Sequence, residues 1–233
     1  MTKLEKIIAG IYLCLEMGLF FLIKWAEEKQ PFFIYGKIEY FAILLNFLFL
    51  AFFYLRRKEE GKILLGLTVT LLADYFLTLR GSHFALGVLC FFAVQLIYGW
   101  KIGYNRWNVF LRVALFAGFL LLIHFLGMSW FFAIPCSLSI CALLGNVICS
   151  FQLAHNNKDG ILNWIFAVGL LLFAGCDISL GLGLVTQGVE GLTHFHQLAN
   201  WMVWIFYVPS QVLIAFTGVL ENVGYKFHNF TLG

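Results

Sequence analysis

Ile161-Leu-Asn-Trp-Ile-Phe-Ala-Val-Gly-Leu-Leu-Leu-Phe-Ala-Gly-Cys-Asp177-Ile-Ser-Leu-Gly-Leu-Gly-Leu184 carries a single carboxylate and no lysine, arginine or histidine. A bilayer core is crossed by about 20 mostly apolar helical residues, so this stretch reads as a membrane-spanning helix. Its apolar residues run on without alternation, which argues against a barrel strand. In lipid the backbone must satisfy its own hydrogen bonds, and a helix does so within one segment. Working outward from it, the same reading gives eight candidate spans, near Ile7–Ile23, Tyr40–Leu55, Ile63–Leu79, Phe84–Trp100, Val109–Leu126, Trp130–Leu153, Ile161–Leu184 and Trp201–Leu220. The expected fold is an all-α polytopic bundle, one transmembrane domain over residues 1–233.

Composition points the same way. Of 233 residues, 62% are hydrophobic and 12% charged, and the mean hydropathy is +0.90. Soluble domains run at about 45–50% apolar and about 25% charged. A soluble globule of this size has too much surface to hide such an excess. A soluble enzyme, a disordered chain and a nucleic-acid-binding domain are excluded, and membrane lipids are the expected surroundings. The longest connections are Lys24–Glu39 and Val185–Asn200, so any function sits in the membrane or at its surface. The six cysteines fall in apolar runs without a Cys-x-x-Cys pair and read as small buried hydrophobes.

The charge pattern orients the bundle. Lys3, Lys6, Arg56, Arg57, Lys58, Lys62, Lys101, Arg106, Arg112, Lys158 and Lys226 fall on one side, against Lys24, Lys29, Lys37 and Arg80 on the other. By the positive-inside rule both termini are cytoplasmic, and the expected location is the cell (plasma) membrane. Lys3 and Lys6 before an apolar run resemble a signal peptide. Glu16 interrupts that run and no small-residue cleavage site follows, so it reads as a retained first span. Arg112, near the start of the fifth span, is expected to snorkel to the head groups. Nothing in the sequence sets an oligomeric state.

Three acidic residues fall inside spans: Glu16, Asp74 and Asp177. A carboxylate at mid-membrane costs about 2.5–3.5 kcal/mol on insertion scales. None has a lysine or arginine in a neighbouring turn, so each must be protonated, hydrated in a cavity or hydrogen-bonded across helices. Asp74 and Asp177 fall in the outer halves of the third and seventh spans, about 8 Å and about 10 Å from their ends. A shared depth is therefore open to them. Thr70, Asp74 and Thr78 form a polar stripe on one helix face, and Gly169, Phe173, Asp177 and Gly181 form another with small residues for close approach. The helix after each aspartate carries a glutamine–tyrosine face: Gly87, Phe91, Gln95 and Tyr98 in one, Asn200, Trp204, Tyr207 and Gln211 in the other. Glu16, Thr70, Thr78 and His124 are candidates for the same cavity. His194-x-His196 reads as a solvated loop rather than a metal site, and no metal or cofactor is expected.

These residues resemble a known pattern. Leu71-Leu-Ala-Asp74, Phe84-Ala-Leu-Gly87 and Phe91-Phe-Ala-Val-Gln-Leu-Ile-Tyr98 resemble the first signature of the YhhN-type lysoplasmalogenase family, a Gly-Asp helix followed by Leu-Gly, Phe and His-x-x-Tyr. Leu172-Phe-Ala-Gly-Cys-Asp177 is similar to its Ser-Asp helix, and Phe206-Tyr-Val-Pro-Ser-Gln211-Val-Leu-Ile to its closing Tyr-x-x-x-Gln helix. The chain departs from the pattern at Ala73, Cys176 and Gln95, where the family has Gly, Ser and His. The resemblance implies hydrolysis of the vinyl-ether bond of a lysophospholipid, with water, to a fatty aldehyde and a glycerophospho-head group. Such cleavage needs one acid to protonate the β-carbon and one group to stabilise the cation or take a proton from water. Asp74 and Asp177 are the candidates for those roles, with Gln95, Tyr98, Tyr207 and Gln211 orienting water or lipid. A second class stays open: a transporter or lipid-binding carrier using the aspartates as proton or cation sites.

Overall fold

A computed structural model describes residues 1–29, 32–59, 61–80, 83–103, 106–125, 130–156 and 160–225. Among them the chain forms helices α1 (Lys3–Lys29), α2 (Phe32–Arg57), α3 (Lys62–Asp74), α4 (Phe84–Ile102), α5 (Arg106–Phe125), α6 (Trp130–Asn156), α7 (Ile161–Thr186) and α8 (Thr193–Asn222), with no strand among the described residues. Seven of the eight are long and apolar enough to cross a membrane. The shorter one is α5, whose described apolar stretch is Trp107–Leu121.

The bundle has greasy outer faces and a polar-studded interior. Leu4, Ile11, Met17, Phe21, Leu55, Phe110, Val113 and Leu171 are exposed, whereas Asn46, Thr70, Gln95, Asn146, Asn163 and Gln211 are buried. A water-soluble domain shows the reverse. Lipid tails cover the apolar faces at no cost, so the association of helices rests on shape and internal hydrogen bonds. Trp100, Trp107 and Trp164 are likewise exposed near helix ends, where interfacial aromatics sit.

α8 is the central post. It packs most extensively on α7 and also touches α1, α2 and α3. α4 packs on α3 and α6, while α5 packs on α6 alone among the described elements. Two of the glycines illustrate how closely the helices approach. A Cβ at Gly66 would stand 2.3 Å from Cε1 of Tyr98, which closes α3 onto α4, and one at Gly169 would stand 3.1 Å from Cγ1 of Ile214, which closes α7 onto α8. Small residues permit such contacts between membrane helices.

Three sequence expectations change here. The connections expected at Lys24–Glu39 and Val185–Asn200 are mostly helix: α1 continues to Lys29, α2 begins at Phe32, and α8 begins at Thr193. Polar residues end an apolar run, but they do not end a helix whose backbone bonds continue past the lipid. His194 and His196 therefore lie in the first turn of α8, where His196 Nδ1 is 2.8 Å from the Gly183 carbonyl and Nε2 2.9 Å from Asn200 Nδ2. Arg112 does not reach for the head groups. Its guanidinium donates to Asn146 Oδ1 on α6 at 2.7 Å.

α3 changes its winding at its functional end. The α-helix stops at Asp74, and Tyr75–Arg80 continues as a π-helix. The hydroxyl of Thr78 donates to the backbone carbonyl of Asp74 at 2.6 Å, joining the two windings. Short π segments inside helices occur frequently at functional sites.

Candidate functional site

The polar stripes of α3 and α7 face one another across the bundle. A cavity of about 240 Å³ lies at the end where α2 and α8 begin and α3 and α7 finish. Its wall is made by Glu39 of α2, Asp74, Leu77 and Thr78 of α3 and its π turn, Phe84 and Phe91 of α4, Phe173, Cys176, Asp177 and Leu180 of α7, and Val203, Trp204 and Tyr207 of α8. Leu77, Thr78, Phe84, Asp177, Leu180 and Val203 are half-buried, while Asp74, Phe91, Phe173, Cys176, Trp204 and Tyr207 are buried. The hollow thus has an open side and a closed floor.

Asp74 and Asp177 meet in this cavity although about a hundred residues separate them, because α3 and α7 both pack against α8. Tyr207 holds one of them: its hydroxyl donates to Asp74 Oδ2 at 2.7 Å. Three aromatic neighbours fix that phenol. Its ring lies 5.4 Å from Trp204, 5.7 Å from Phe173 and 6.3 Å from Phe91, the last at an interplanar angle of 90°. Edge-to-face packing of this kind locks a ring, so the hydroxyl has little freedom to leave Asp74. Asp177 has no such donor among the described residues and is the more open of the two aspartates.

The remaining sequence candidates divide. Thr78 is on the wall. Thr70 lies one turn deeper, fully buried, and its hydroxyl is taken up by the Gly66 carbonyl at 3.0 Å. Glu16 stands apart from the cavity, at the seam of α1 and α2: its Oε1 accepts from Asn46 Nδ2 at 2.8 Å, and Asn46 Oδ1 accepts from Tyr12 at 2.7 Å. The side chain of His124 lies outside the described residues. Gln95, Tyr98 and Gln211 are fully buried and stand outside the wall of this cavity. Gln95 turns toward α6, where its Oε1 accepts from Asn146 Nδ2 at 3.0 Å and so joins the chain that ends on Arg112. Tyr98 packs edge-on against Phe166, 5.6 Å between centroids. The Tyr98 hydroxyl and both side-chain atoms of Gln211 have no hydrogen-bond partner among the described residues. Buried polar atoms of this kind are commonly satisfied by ordered water.

Glu39 is the wall residue that sequence reading missed. It falls just before the expected second span, so it read as part of a connection. In the structure α2 starts eight residues before that span, at Phe32, and Glu39 is 2% exposed and on the cavity wall. Gly36, one turn before it, approaches the Thr78 carbonyl so closely that a Cβ would stand 3.0 Å away. That contact brings the start of α2 against the end of α3 and levels Glu39 with Asp74. A signal was available: Phe32-Phe-Ile-Tyr and Ile38 surround the charged residues with apolar ones.

A multi-pass helical membrane protein whose cavity brings three carboxyl groups together, with no cation on its wall, is thus defined. Residues 37–218 match the model of the YhhN family, which covers all the cavity walls. The chain belongs to the YhhN family. No curated protein and no solved structure is similar enough to match.

Proposed function

We propose that this protein is a membrane hydrolase of the lysoplasmalogenase kind, cleaving the vinyl ether of a lysophospholipid by acid and base work of Asp74 and Asp177. The observation that carries the reading is the convergence of the two aspartates, from α3 and α7, on one cavity with the Tyr207 hydroxyl bonded to Asp74. Membership of the YhhN family agrees with it.

The two aspartates have different surroundings, and that difference suggests their roles. A hydroxyl donated to Oδ2 uses Asp74 as an acceptor, which suits a group that steadies a cation and takes a proton from water. Asp177, without a donor and more open, suits proton delivery. In this scheme Asp177 protonates the β-carbon of the vinyl ether, and the C=C electrons leave an oxocarbenium ion at the ether-bearing carbon. Water adds there and gives its proton to Asp74. The resulting hemiacetal gives its hydroxyl proton to Asp177 as its bond to the glycerol oxygen breaks, that oxygen takes the proton held on Asp74, and a fatty aldehyde leaves with both aspartates restored. The sum is one water added across one bond. The apolar wall of Leu77, Phe84, Leu180 and Val203 fits an alkenyl chain. Gln95, Tyr98 and Gln211, beneath the cavity, are proposed to act on water rather than on lipid.

Aldehyde release from a lysoplasmalogen by the purified protein tests the reading, with a lysophospholipid lacking the vinyl ether as control. Release from the first substrate alone, lost in Asp74→Asn and in Asp177→Asn, is the expected result. Equal rates for wild type and both variants would defeat it.

The switch to π winding directly after Asp74 favours a second reading, a cation- or proton-coupled carrier, since helices interrupted at a binding site are common in transporters. Uptake into vesicles that fails in the same two variants, without aldehyde formation, would establish that class instead.

A further inference from the structure

The cavity wall holds a nucleophile that the hydrolytic scheme leaves idle. Of the six cysteines in the chain, Cys176 is the one on that wall among the described residues. It precedes Asp177 on α7, is 5% exposed, and stands within electrostatic reach of Asp177, Asp74 and Tyr207. A buried thiol needs a base at hand to attack, and a neighbouring carboxylate is one. A second wall residue points independently to a bound ligand. Glu39 is 2% exposed, and its Oε1 has no hydrogen-bond partner among the described residues. A buried acceptor left open is costly, and a ligand hydroxyl donating to Oε1 removes that cost. Leu77, Phe84, Leu180 and Val203 give the wall its apolar part, which suits an alkyl chain. A thiol beside carboxyl groups, an open acceptor and a chain-binding wall together fit one class of reactive ligand, a long-chain aldehyde.

We propose that Cys176 captures long-chain aldehydes in this cavity as a reversible thiohemiacetal. Sγ bonds to the carbonyl carbon as the C=O π bond breaks. Asp74 takes the thiol proton, and Asp177 gives a proton to the aldehyde oxygen. The sum is S–H added across C=O, with no oxidant or reductant. The new hydroxyl donates to Glu39 Oε1. Return of the two protons releases the aldehyde unchanged. In a hydrolase that forms a fatty aldehyde in the same cavity, this adduct retains the product and blocks the next substrate. The proposal rests on the hydrolase reading for the source of the aldehyde; the capture itself needs only the thiol, the acids and the apolar wall.

The test is carbon NMR of the purified protein in detergent with hexadecanal isotopically labelled at its carbonyl carbon, which needs no turnover. Wild type is expected to show a bound signal from a carbon carrying one oxygen and one sulfur, distinct from the free aldehyde and its hydrate. Cys176→Ala should abolish that signal, and Cys176→Ser should remove it too, because its adduct carries two oxygens. Glu39→Leu, which cannot accept the new hydroxyl, should lower the bound fraction about threefold or more. If Cys176→Ala does not fold, wild type itself serves. The α,β-unsaturated aldehyde of the same length fixes the sulfur permanently at its β-carbon, and peptide mass spectrometry should find it on Cys176 ahead of Cys14. Exposure alone would give the opposite order, since Cys14 is exposed and Cys176 buried. No sulfur-bearing signal in wild type, an undiminished signal in a folded Cys176→Ala, or modification of Cys14 ahead of Cys176 overturns the proposal. The two readings fail separately. The adduct without aldehyde release from a lysoplasmalogen ends the hydrolase reading and keeps the capture site. Aldehyde release without the adduct does the opposite.

Discussion

The two ends of this bundle treat buried acids differently. At one end Glu39, Asp74 and Asp177 share a hollow whose wall contains no cation. At the other, Glu221 near the end of α8 meets Lys101 near the end of α4 at 2.5 Å, with both side chains buried. The second arrangement fills its space and cancels its charge; the first leaves space and charge unspent. A buried pair contributes little net stability but is costly to break, because the surviving charge has no solvent. An uncompensated set costs stability outright, and it persists only where something other than packing requires it. The cavity end is therefore the place to look for chemistry and the Lys101 end the place to look for architecture.

Substitutions should separate the two ends. The largest effect is expected at the cavity. Asp177→Asn or Asp74→Asn should lower aldehyde release about 10²–10⁴-fold, the usual worth of a positioned acid or base, while the thermal midpoint in detergent stays or rises. A collapse of folding with either change would place these aspartates with Glu221, as structural groups. Next, Lys101→Met should destabilise the protein by about 3–5 kcal/mol, and adding Glu221→Leu should restore most of it; both are read from denaturation midpoints. Failure of the double change to rescue would mean that the pair does more than cancel its own charge. Gly66→Ala should cost about 1–3 kcal/mol by forcing a methyl against the Tyr98 ring, with activity retained in whatever protein folds. The smallest effect on stability is expected from Tyr207→Phe, about 0.5–1.5 kcal/mol for one hydrogen bond. Its activity should fall nonetheless, since Asp74 loses the donor that orients it.

Much of this was legible in the chain. The apolar runs announced helices, and the rarity of acids within them singled out Asp74 and Asp177. Tyr207, one helical face from Trp204, was visible as a polar residue where lipid would exclude one. Glu39 was hidden because a hydropathy reading ends a span at the first cluster of charges, whereas the helix itself runs on from Phe32. Arg112 was misjudged for a related reason. A lone arginine near a helix start has two outlets, the head groups or a partner helix, and only the position of Asn146 on α6 selects the second. Gln95 and Tyr98 shared a face with Phe91, as expected, yet that face descends away from the cavity toward α6 and α7. Periodicity reveals which residues lie together on a helix but not what stands opposite them.

The sequence alone determined the medium, the helical class and the two candidate aspartates, because these follow from hydropathy, length and the cost of charge in lipid. Which acids converge was decided only by the packed bundle. Helix rotation and crossing depend on small residues such as Gly36 and Gly66 meeting particular neighbours, and those contacts are made between segments far apart in the chain. They alone brought Glu39 and Tyr207 to the aspartates and turned Glu16 away to Asn46.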